Sequence, residues 1–450
     1  MEKIPEQYEL ILQQELTDIH SKGMLLRHKK SGAWITLIEN DDVNKVFYIG
    51  FRTTPDNSKG TPHIIEHTVL CGSDKYPVKD PFVELVKGSM NTFLNAMTYP
   101  DKTVYPVAST NDKDFDNLID VYMDAVFHPN IYKHEEIFRQ EGWHYEMEDR
   151  DSPLTINGVV YNEMKGAFSS PDDVLEREIT HSLYPDTTYG VESGGDPKDI
   201  PTLTYEEYKA FHQRYYHPSN SYIYIYGDCD MAQKLDYLDR EYLSLYDAID
   251  PKTEIKQQAP FDKQHEESIA YPVSADESED GKTYLSLNYV IGDALDTKLV
   301  AAFDILDYAL LEAPGAPLRQ AILDAGIGTD VYGGMQTIQQ PYFSITVKGS
   351  DLSKKEQFKE LVEKTLADLE KNGLDHRSLL AGINSDEFKY READFGGYPK
   401  GLIWGLGILD SWLYDHRAAF QRLSVLPIYA ELKQDIDSDY FEGLIQKYLL

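Results

Sequence analysis

The clearest chemical signal in the chain is a seven-residue segment, TPHIIEH, that ends at His67. On a helix with about 100° per residue, His67 lies about 40° from His63, and Glu66 lies about 60° to the other side. These three side chains therefore share one helix face, whereas Ile64 and Ile65 point away from it. Two neutral imidazoles one turn apart can ligate a single Zn²⁺ ion.

A catalytic zinc site keeps three protein ligands and one position for water, and a carboxylate beside that water can act as a general base. Glu66 is placed for this role, and the order His-x-x-Glu-His is the inverted form of a metallopeptidase motif. The alternative is a helix whose two histidines lie one turn apart by chance. We predict one Zn²⁺ per chain and a water molecule on that ion, activated by Glu66.

The third zinc ligand must come from another part of the chain. Glu163 is the predicted ligand, because it opens a predicted helix directly after an apolar strand and can reach across to the histidine helix. Cys71 is the alternative, but it lies about 80° from His63 and near the helix end, where it would converge poorly on the ion. A small buried thiol is the ordinary interpretation of this cysteine.

The apolar patterns predict an α+β fold with two similar domains, each a mainly antiparallel sheet packed with helices. Residues 1–250 are the predicted zinc-bearing domain, 251–267 a linker rich in Pro, Asp, Lys and Gln, and 268–450 a second domain without metal ligands. The first predicted elements are a hairpin of strands 33–39 and 45–52, a helix from His63 to Gly72, and extended stretches at 93–97 and 103–108. Helices are predicted at 114–127, 135–146 and 172–183, followed by a strand at 221–226. In the second domain we predict strands 284–290 and 342–348, and helices 299–311, 316–325, 354–372, 376–391 and 398–423.

Composition restricts the classes of function. The formal charge of −34 disfavours nucleic acid as a partner, because an acidic surface repels the phosphate backbone, and it favours basic peptides. No segment reaches the roughly 20 apolar residues of a membrane helix, so no membrane partner is expected. Two cysteines exclude a disulfide framework, and the N-terminal residues resemble neither a signal nor a transit peptide, so a cytoplasmic location is expected.

Several longer segments carry a resemblance to a known family. They are residues 61–73 (TPHIIEHTVLCGS), 75–82 (KYPVKDPF), 88–107, 140–146 (QEGWHYE), 158–166 (GVVYNEMKG) and 215–221 (YYHPSNS). The chain resembles the pitrilysin/insulinase family of zinc peptidases, in particular its presequence-protease branch. The resemblance covers about the first 230 residues by motif, and the remainder only by layout.

The resemblance implies zinc bound by His63, His67 and Glu163, with Glu66 as the base. It also implies that Asn95, Ala96 and Met97 form an exposed strand edge near the metal, to which an unstructured peptide substrate would add as an extra strand. An ordinary edge strand is the alternative for these three residues. The implied activity is that of a zinc-dependent endopeptidase.

Members of this branch resemble two such halves in one chain, and the far half supplies an Arg and a Tyr that contact the substrate. Since the sequence contains one half, we expect that it is truncated at its C-terminus, or that a partner subunit carries the other half. An isolated half would then be weakly active or inactive. The alternative function is a non-catalytic interaction subunit of the same family, although such subunits typically lack the metal ligands.

Overall fold

The computed structural model describes residues 4–79 and 81–450, which divide into two compact units. The first unit extends to Glu267 and also includes Phe395–Phe420. The second unit comprises Ser268–Asp394 and Gln421–Leu450. Each unit combines helices with a sheet in which antiparallel pairing dominates, so the predicted α+β class is confirmed.

The strands in chain order are β1 (Tyr8–Leu16), β2 (Ser21–His28), β3 (Trp34–Glu39), β4 (Lys45–Arg52), β5 (Asn91–Leu94), β6 (Met97–Thr98), β7 (Lys102–Ser109), β8 (His144–Glu146), β9 (Thr155–Asn157), β10 (Ser221–Gly227), β11 (Thr283–Val290), β12 (Asp330–Gln336) and β13 (Tyr342–Ser350). The helices of the first unit are α1 (Thr61–Val69), α2 (Pro81–Gly88), α3 (Asp112–Phe127), α4 (Glu135–Glu141), α5 (Val159–Ala167), α6 (Pro171–Leu183), α7 (Tyr205–Tyr215), α8 (Met231–Glu241) and, later in the chain, α13 (Lys400–Trp412). The helices of the second unit are α9 (Thr297–Asp307), α10 (Pro317–Asp324), α11 (Lys355–Asn372), α12 (His376–Glu392), α14 (Leu426–Asp435) and α15 (Tyr440–Tyr448).

The large sheet of the first unit has the strand order β1-β2-β3-β10-β4-β7-β5, and β6 also pairs with β7. Strands β3 and β10 run parallel, and the other described pairs of this sheet are antiparallel. The central strand β10 is buried along its whole length. A strand with both faces covered reads as a continuous apolar and aromatic run, which is how residues 221–226 appear in the sequence.

The predicted hairpin of strands 33–39 and 45–52 is wrong. Strand β10 lies between β3 and β4, and its residue Ile223 is in register with both Ile35 and Ile49. The hairpin of this region is instead formed by β1 and β2, for which no strand was predicted. Turn residues indicate only where a chain reverses its direction. The partner of each strand depends on contacts between segments that are far apart in the sequence.

One face of the large sheet is covered by helices that include α1. Ile64 and Ile65 of α1 belong to the same buried core as Phe47, Ile49 and Tyr105 of the sheet. Side chains of α3, α7 and α8 complete this core. The histidine helix is therefore attached to the sheet by its isoleucine face, which leaves the opposite face of the helix for chemistry.

Helix α13 packs against strands β4 and β10 and belongs to the first unit, although all of residues 268–450 were predicted to form the second domain. The Tyr48 hydroxyl donates to the Gly405 carbonyl at 2.9 Å, and the Tyr224 hydroxyl donates to the Gly401 carbonyl at 2.8 Å. A Cβ atom at Gly401 would lie 2.2 Å from the ring of Tyr226, so glycine permits this close approach. This helix is also shorter than the predicted helix 398–423, because α13 ends at Trp412.

The second unit contains a three-stranded antiparallel sheet in the order β11-β13-β12. Its core joins this sheet to α9, α10, α11, α12, α14 and α15. Residues 251–267, the predicted linker, contain no helix or strand. Across the described residues, the structure has no helix of sufficient length and apolarity to span a bilayer.

Candidate active site

Helix α1 presents His63, Glu66 and His67 on one face. All three are half-buried, whereas Ile64 and Ile65 are fully buried on the opposite face. The helix begins one residue after Gly60, which adopts a left-handed conformation with φ of 69°, and Pro62 lies in its first turn. Proline is suited to this position because its missing N–H would have no intrahelical partner there. The histidines and Glu66 thus lie on one face of α1 and the two isoleucines on the opposite face, as the sequence predicts.

Helix α5 brings Glu163 to the histidines from 96 residues further along the chain. It starts directly after Gly158, whose φ is 157°. A Cβ atom at Gly158 would lie 2.2 Å from the carbonyl oxygen of Gly142, so only glycine allows the start of α5 to approach the end of α4. This contact places Glu163 and Glu141, the last residue of α4, on the same side of the histidine helix.

The three predicted ligands converge. A Glu163 carboxylate oxygen lies 3.6 Å from His63 Nε2 and 3.5 Å from His67 Nε2, and all three ligand atoms lie within 4.8 Å of one another. Tetrahedral zinc with bonds of about 2.1 Å separates its ligand atoms by about 3.4 Å. The two imidazoles and the carboxylate therefore have both the chemistry and the spacing that fit one Zn²⁺ ion.

The outer nitrogen of each imidazole has its own acceptor. His63 Nδ1 lies 3.2 Å from the Gly194 carbonyl oxygen, and His67 Nδ1 lies 3.3 Å from a Glu141 carboxylate oxygen. An acceptor at Nδ1 favours the tautomer that carries its proton there and leaves Nε2 free to bind a metal. Neither acceptor was predicted from the sequence, since nothing local marks Glu141 or Gly194 as a neighbour of the histidines.

The electrostatic surroundings of His67 favour positive charge. Burial lowers the pKa of His67, but the hydrogen bond with Glu141 and the charges of Glu66, Glu163 and Glu141 outweigh this effect, so the pKa is raised. Burial also raises the pKa of Glu141, but its hydrogen bonds with His67 and Gln140 lower it to below the ordinary value. A site that favours a proton on this imidazole also favours a cation at the same position.

Glu66 is available for proton transfer. Within residues 4–79 and 81–450, its carboxylate has no hydrogen bond or ion pair, although its charge acts on the adjacent His67. Cys71, the alternative ligand, lies beyond the end of α1, and its thiol lies 3.5 Å from the His67 carbonyl oxygen. The converging group contains Glu163 and lacks Cys71, which favours the glutamate as the third ligand.

Residues 95–97 lie at the edge of the large sheet, next to α1. Strand β5 is the last strand of the sheet order and ends at Leu94, whereas Met97 begins β6, which contacts α1. The predicted extended stretch is thus interrupted at Asn95 and Ala96. At the interruption, the Asn95 N–H donates to the Pro106 carbonyl of β7 at 3.2 Å, and the Asn95 carbonyl accepts from the Tyr122 hydroxyl at 3.2 Å.

Replacement of Glu141 by glutamine tests the support of His67. We expect Zn²⁺ affinity to fall about 10- to 100-fold, the usual effect of losing a carboxylate that orients a ligating histidine. Competition with a chromogenic chelator measures this change. Glu135→Gln, an exposed position on the same helix α4, should bind Zn²⁺ as the wild type does. Equal affinities in both variants would show that Glu141 does not orient His67.

Two family models match the chain. Residues 43–187 match the model described as "Insulinase (Peptidase family M16)", and residues 202–385 match the one described as "Peptidase M16 inactive domain". His63, Glu66, His67 and Glu163 all lie within the first match. The chain belongs to the pitrilysin/insulinase family of peptidases.

Relatives within this family are similar over nearly the whole chain. Protein HypA of Clostridium perfringens is 51% identical over 444 residues, which are 98% of this chain and 46% of the relative. Presequence protease 1 of Arabidopsis thaliana, from chloroplasts and mitochondria, is 43% identical over 98% of this chain and 42% of its own length. Mitochondrial presequence protease of Mus musculus is 37% identical over 82% of this chain and 36% of its own length. The chain thus spans less than half the length of these relatives.

Solved structures show the same fold. A protease from Helicobacter pylori aligns with a TM-score of 0.68 over 96% of this chain and 97% of its own, at 16% sequence identity. Pitrilysin aligns with a TM-score of 0.63 over 97% of this chain and 46% of its own, also at 16% identity. These alignments cover nearly the whole chain and show that its fold is shared with both solved structures.

Proposed function

We propose that the chain is the zinc-bearing part of an endopeptidase that hydrolyses unstructured peptides. The observation that carries the proposal is the convergence of His63 Nε2, His67 Nε2 and a Glu163 oxygen within 4.8 Å of one another. A ligand set of two imidazoles and one carboxylate leaves one position of a tetrahedral ion open, which is the arrangement of catalytic zinc. Membership of a peptidase family and similarity to presequence proteases support the same activity.

When bound at this site, Zn²⁺ would lower the pKa of a water molecule and polarise the carbonyl of the bond to be cut. Glu66 lies on the same helix face and has a carboxylate without a hydrogen-bonding partner in the described part of the chain. Glu66 accepts the proton of the attacking water and then donates it to the leaving amine. Glu141 and the Gly194 carbonyl keep the imidazoles oriented while the substrate enters.

Residues 95–97 form the proposed binding edge for the substrate. A peptide in extended conformation would bind along the sheet edge at Asn95, Ala96 and Met97, next to α1, so that its backbone supplies most of the hydrogen bonds. Binding through the backbone tolerates many sequences. The net charge of −34 and the carboxylates around the histidines favour basic peptides over acidic ones.

The relatives' greater length supports one further part of the proposal. Because this chain spans 46% of Protein HypA and 42% of the Arabidopsis protease, we propose that a second half, in the same chain or in a partner subunit, completes the substrate chamber. We also propose a cytoplasmic location, which agrees with a chain of two cysteines. A non-catalytic interaction subunit is the alternative, and it predicts zinc-independent binding without cleavage.

Metal removal from the native protein tests this function. We expect a basic, unstructured peptide to be cleaved, and cleavage to stop on treatment with a zinc chelator and to return with one equivalent of Zn²⁺. Mass spectrometry of the products gives the cleaved bonds, and an acidic peptide of equal length tests the charge preference. Cleavage that survives complete metal removal would contradict the proposed chemistry, and intact peptide in the presence of bound zinc would favour the non-catalytic alternative.

A further inference from the structure

The loop of residues 192–196, called the support loop here, contacts both elements that carry metal ligands. Its Gly194 carbonyl accepts the Nδ1 proton of His63. A Cβ atom at Gly60, the residue before α1, would lie 2.7 Å from the same carbonyl oxygen. A Cβ atom at Gly194 would lie 3.0 Å from the side chain of Met164, which follows Glu163 on α5. The support loop thus fills the space between α1 and α5.

The backbone of the support loop is fixed at both ends by one serine. The Glu192 N–H donates to the Ser58 hydroxyl at 3.0 Å, and the Asp196 N–H donates to the Ser58 carbonyl at 2.8 Å. Ser58 lies two residues before Gly60, so these bonds join the loop to the segment that leads into α1. The middle of the loop, which contacts His63, needs a separate support.

A side-chain ion pair supplies that support. One Glu192 carboxylate oxygen accepts the Gly194 N–H at 2.9 Å, and the other accepts the Arg177 Nε–H at 2.5 Å. Arg177 also lies over the ring of Phe168, 3.6 Å from its centroid, and Phe168 directly follows the last residue of α5. The Arg177 side chain is 9% exposed and that of Glu192 is 19% exposed, so water screens this pair weakly.

We propose that Arg177 and Glu192 are positioning residues for the metal site. Their ion pair fixes the Gly194 peptide group, whose N–H binds Glu192 and whose carbonyl orients His63 and selects its metal-binding tautomer. The inference rests on the proposed function, because His63 requires this orientation only where its Nε2 binds a metal ion. It also assigns a role to the Ser-Gly-Gly-Asp sequence of the loop, in which the glycines permit the close approach to α1.

Loss of either residue should disturb the Gly194 peptide group, because a partly buried charge is unfavourable without its partner. Without Arg177, the Glu192 carboxylate would lose its cation and turn towards solvent, which releases the Gly194 peptide group. Without the Glu192 carboxylate, the Gly194 N–H would lose its acceptor directly. Both changes should reach the metal through His63, since outer partners of ligating histidines commonly change metal affinity 10- to 100-fold.

Competition between the native protein and a chromogenic chelator for Zn²⁺ tests the proposal, with the unfolding midpoint of the metal-free protein measured alongside. Glu192→Ala and Arg177→Gln should each weaken Zn²⁺ binding about 10- to 100-fold. The double variant should lose no more than Glu192→Ala alone, because the two residues act through one contact. Glu192→Gln should lose less, since its amide oxygen still accepts from Gly194.

Arg319→Gln is the matched control, because it breaks an Arg–Asp pair with Asp330 in the second unit. It should bind Zn²⁺ as the wild type does. If Arg177→Gln and Glu192→Ala keep the wild-type Zn²⁺ affinity, the positioning role is wrong while zinc binding by the wild type stands. If the wild type itself takes up no Zn²⁺, the proposed function is wrong, so the two failures are distinguishable.

Discussion

Replacement of Glu66 by glutamine is expected to lower the rate of peptide hydrolysis about 10²- to 10⁴-fold, the usual contribution of a general base. This loss corresponds to about 3–5 kcal/mol of transition-state stabilisation, at 1.36 kcal/mol for each factor of ten. The amide of glutamine has nearly the same size as the carboxylate but cannot accept the proton of the attacking water. Since Glu66 is not one of the converging ligands, the variant should retain one Zn²⁺ ion per chain.

Kinetics of peptide cleavage and the metal content of the same preparation check this expectation together. Glu206→Gln, the same change on the exposed surface of α7, should leave the rate unchanged. A Glu66→Gln variant with wild-type cleavage would remove Glu66 from the mechanism. A variant that lost its zinc would instead make Glu66 a metal ligand or a support of the helix.

Replacement of Glu163 by alanine is expected to weaken Zn²⁺ binding by more than about 100-fold, which exceeds the usual effect of losing an outer partner of a ligand. The variant keeps only the two imidazoles, and two ligands hold zinc poorly against a chelator. Peptide cleavage should be lost in parallel. Because the Glu163 side chain is 51% exposed, its removal should leave the fold intact.

Chelator competition and the unfolding midpoint of the metal-free protein measure these two effects separately. Lys165→Ala is the control on the same helix, since it is exposed and lies two residues beyond Glu163. Wild-type zinc affinity in Glu163→Ala would show that another side chain is the third ligand. Cys71→Ala would then be the next variant to measure.

The core of the candidate site could be predicted because its signal is local. His63, Glu66 and His67 lie on one helix, so the helical period alone determines which face they share. Glu163 could be predicted from the family resemblance. The expectation that it opens a helix after an apolar strand is wrong, because the apolar residues before it form the first turn of α5, which begins at Val159. Glu141 and Gly194 could not be predicted, because a single carboxylate or glycine has no periodicity, and only the folded chain brings them to the imidazoles.

The same distinction applies to the fold. The segments that become β3, β4 and β10 were predicted from their apolar runs, yet the insertion of β10 between the other two was not. Ile223 of β10 is 174 residues from its partner in β4 and 188 residues from its partner in β3, and pairing over such separations has no local signature. Helix α13 was predicted in the second domain but belongs to the first unit, for a related reason. Two of its three glycines, Gly401 and Gly405, face tyrosines of β4 and β10, and a glycine in a helix does not indicate what packs against it.

Anomalous diffraction from crystals of the native protein, recorded at the zinc absorption edge, tests most directly whether two imidazoles and Glu163 form one metal centre. We expect a single anomalous peak for each copy of the chain, about 2.0–2.2 Å from His63 Nε2, His67 Nε2 and a carboxylate oxygen of Glu163. A zinc-loaded crystal with no peak between these three atoms, or with a peak bound by other side chains, would contradict the site.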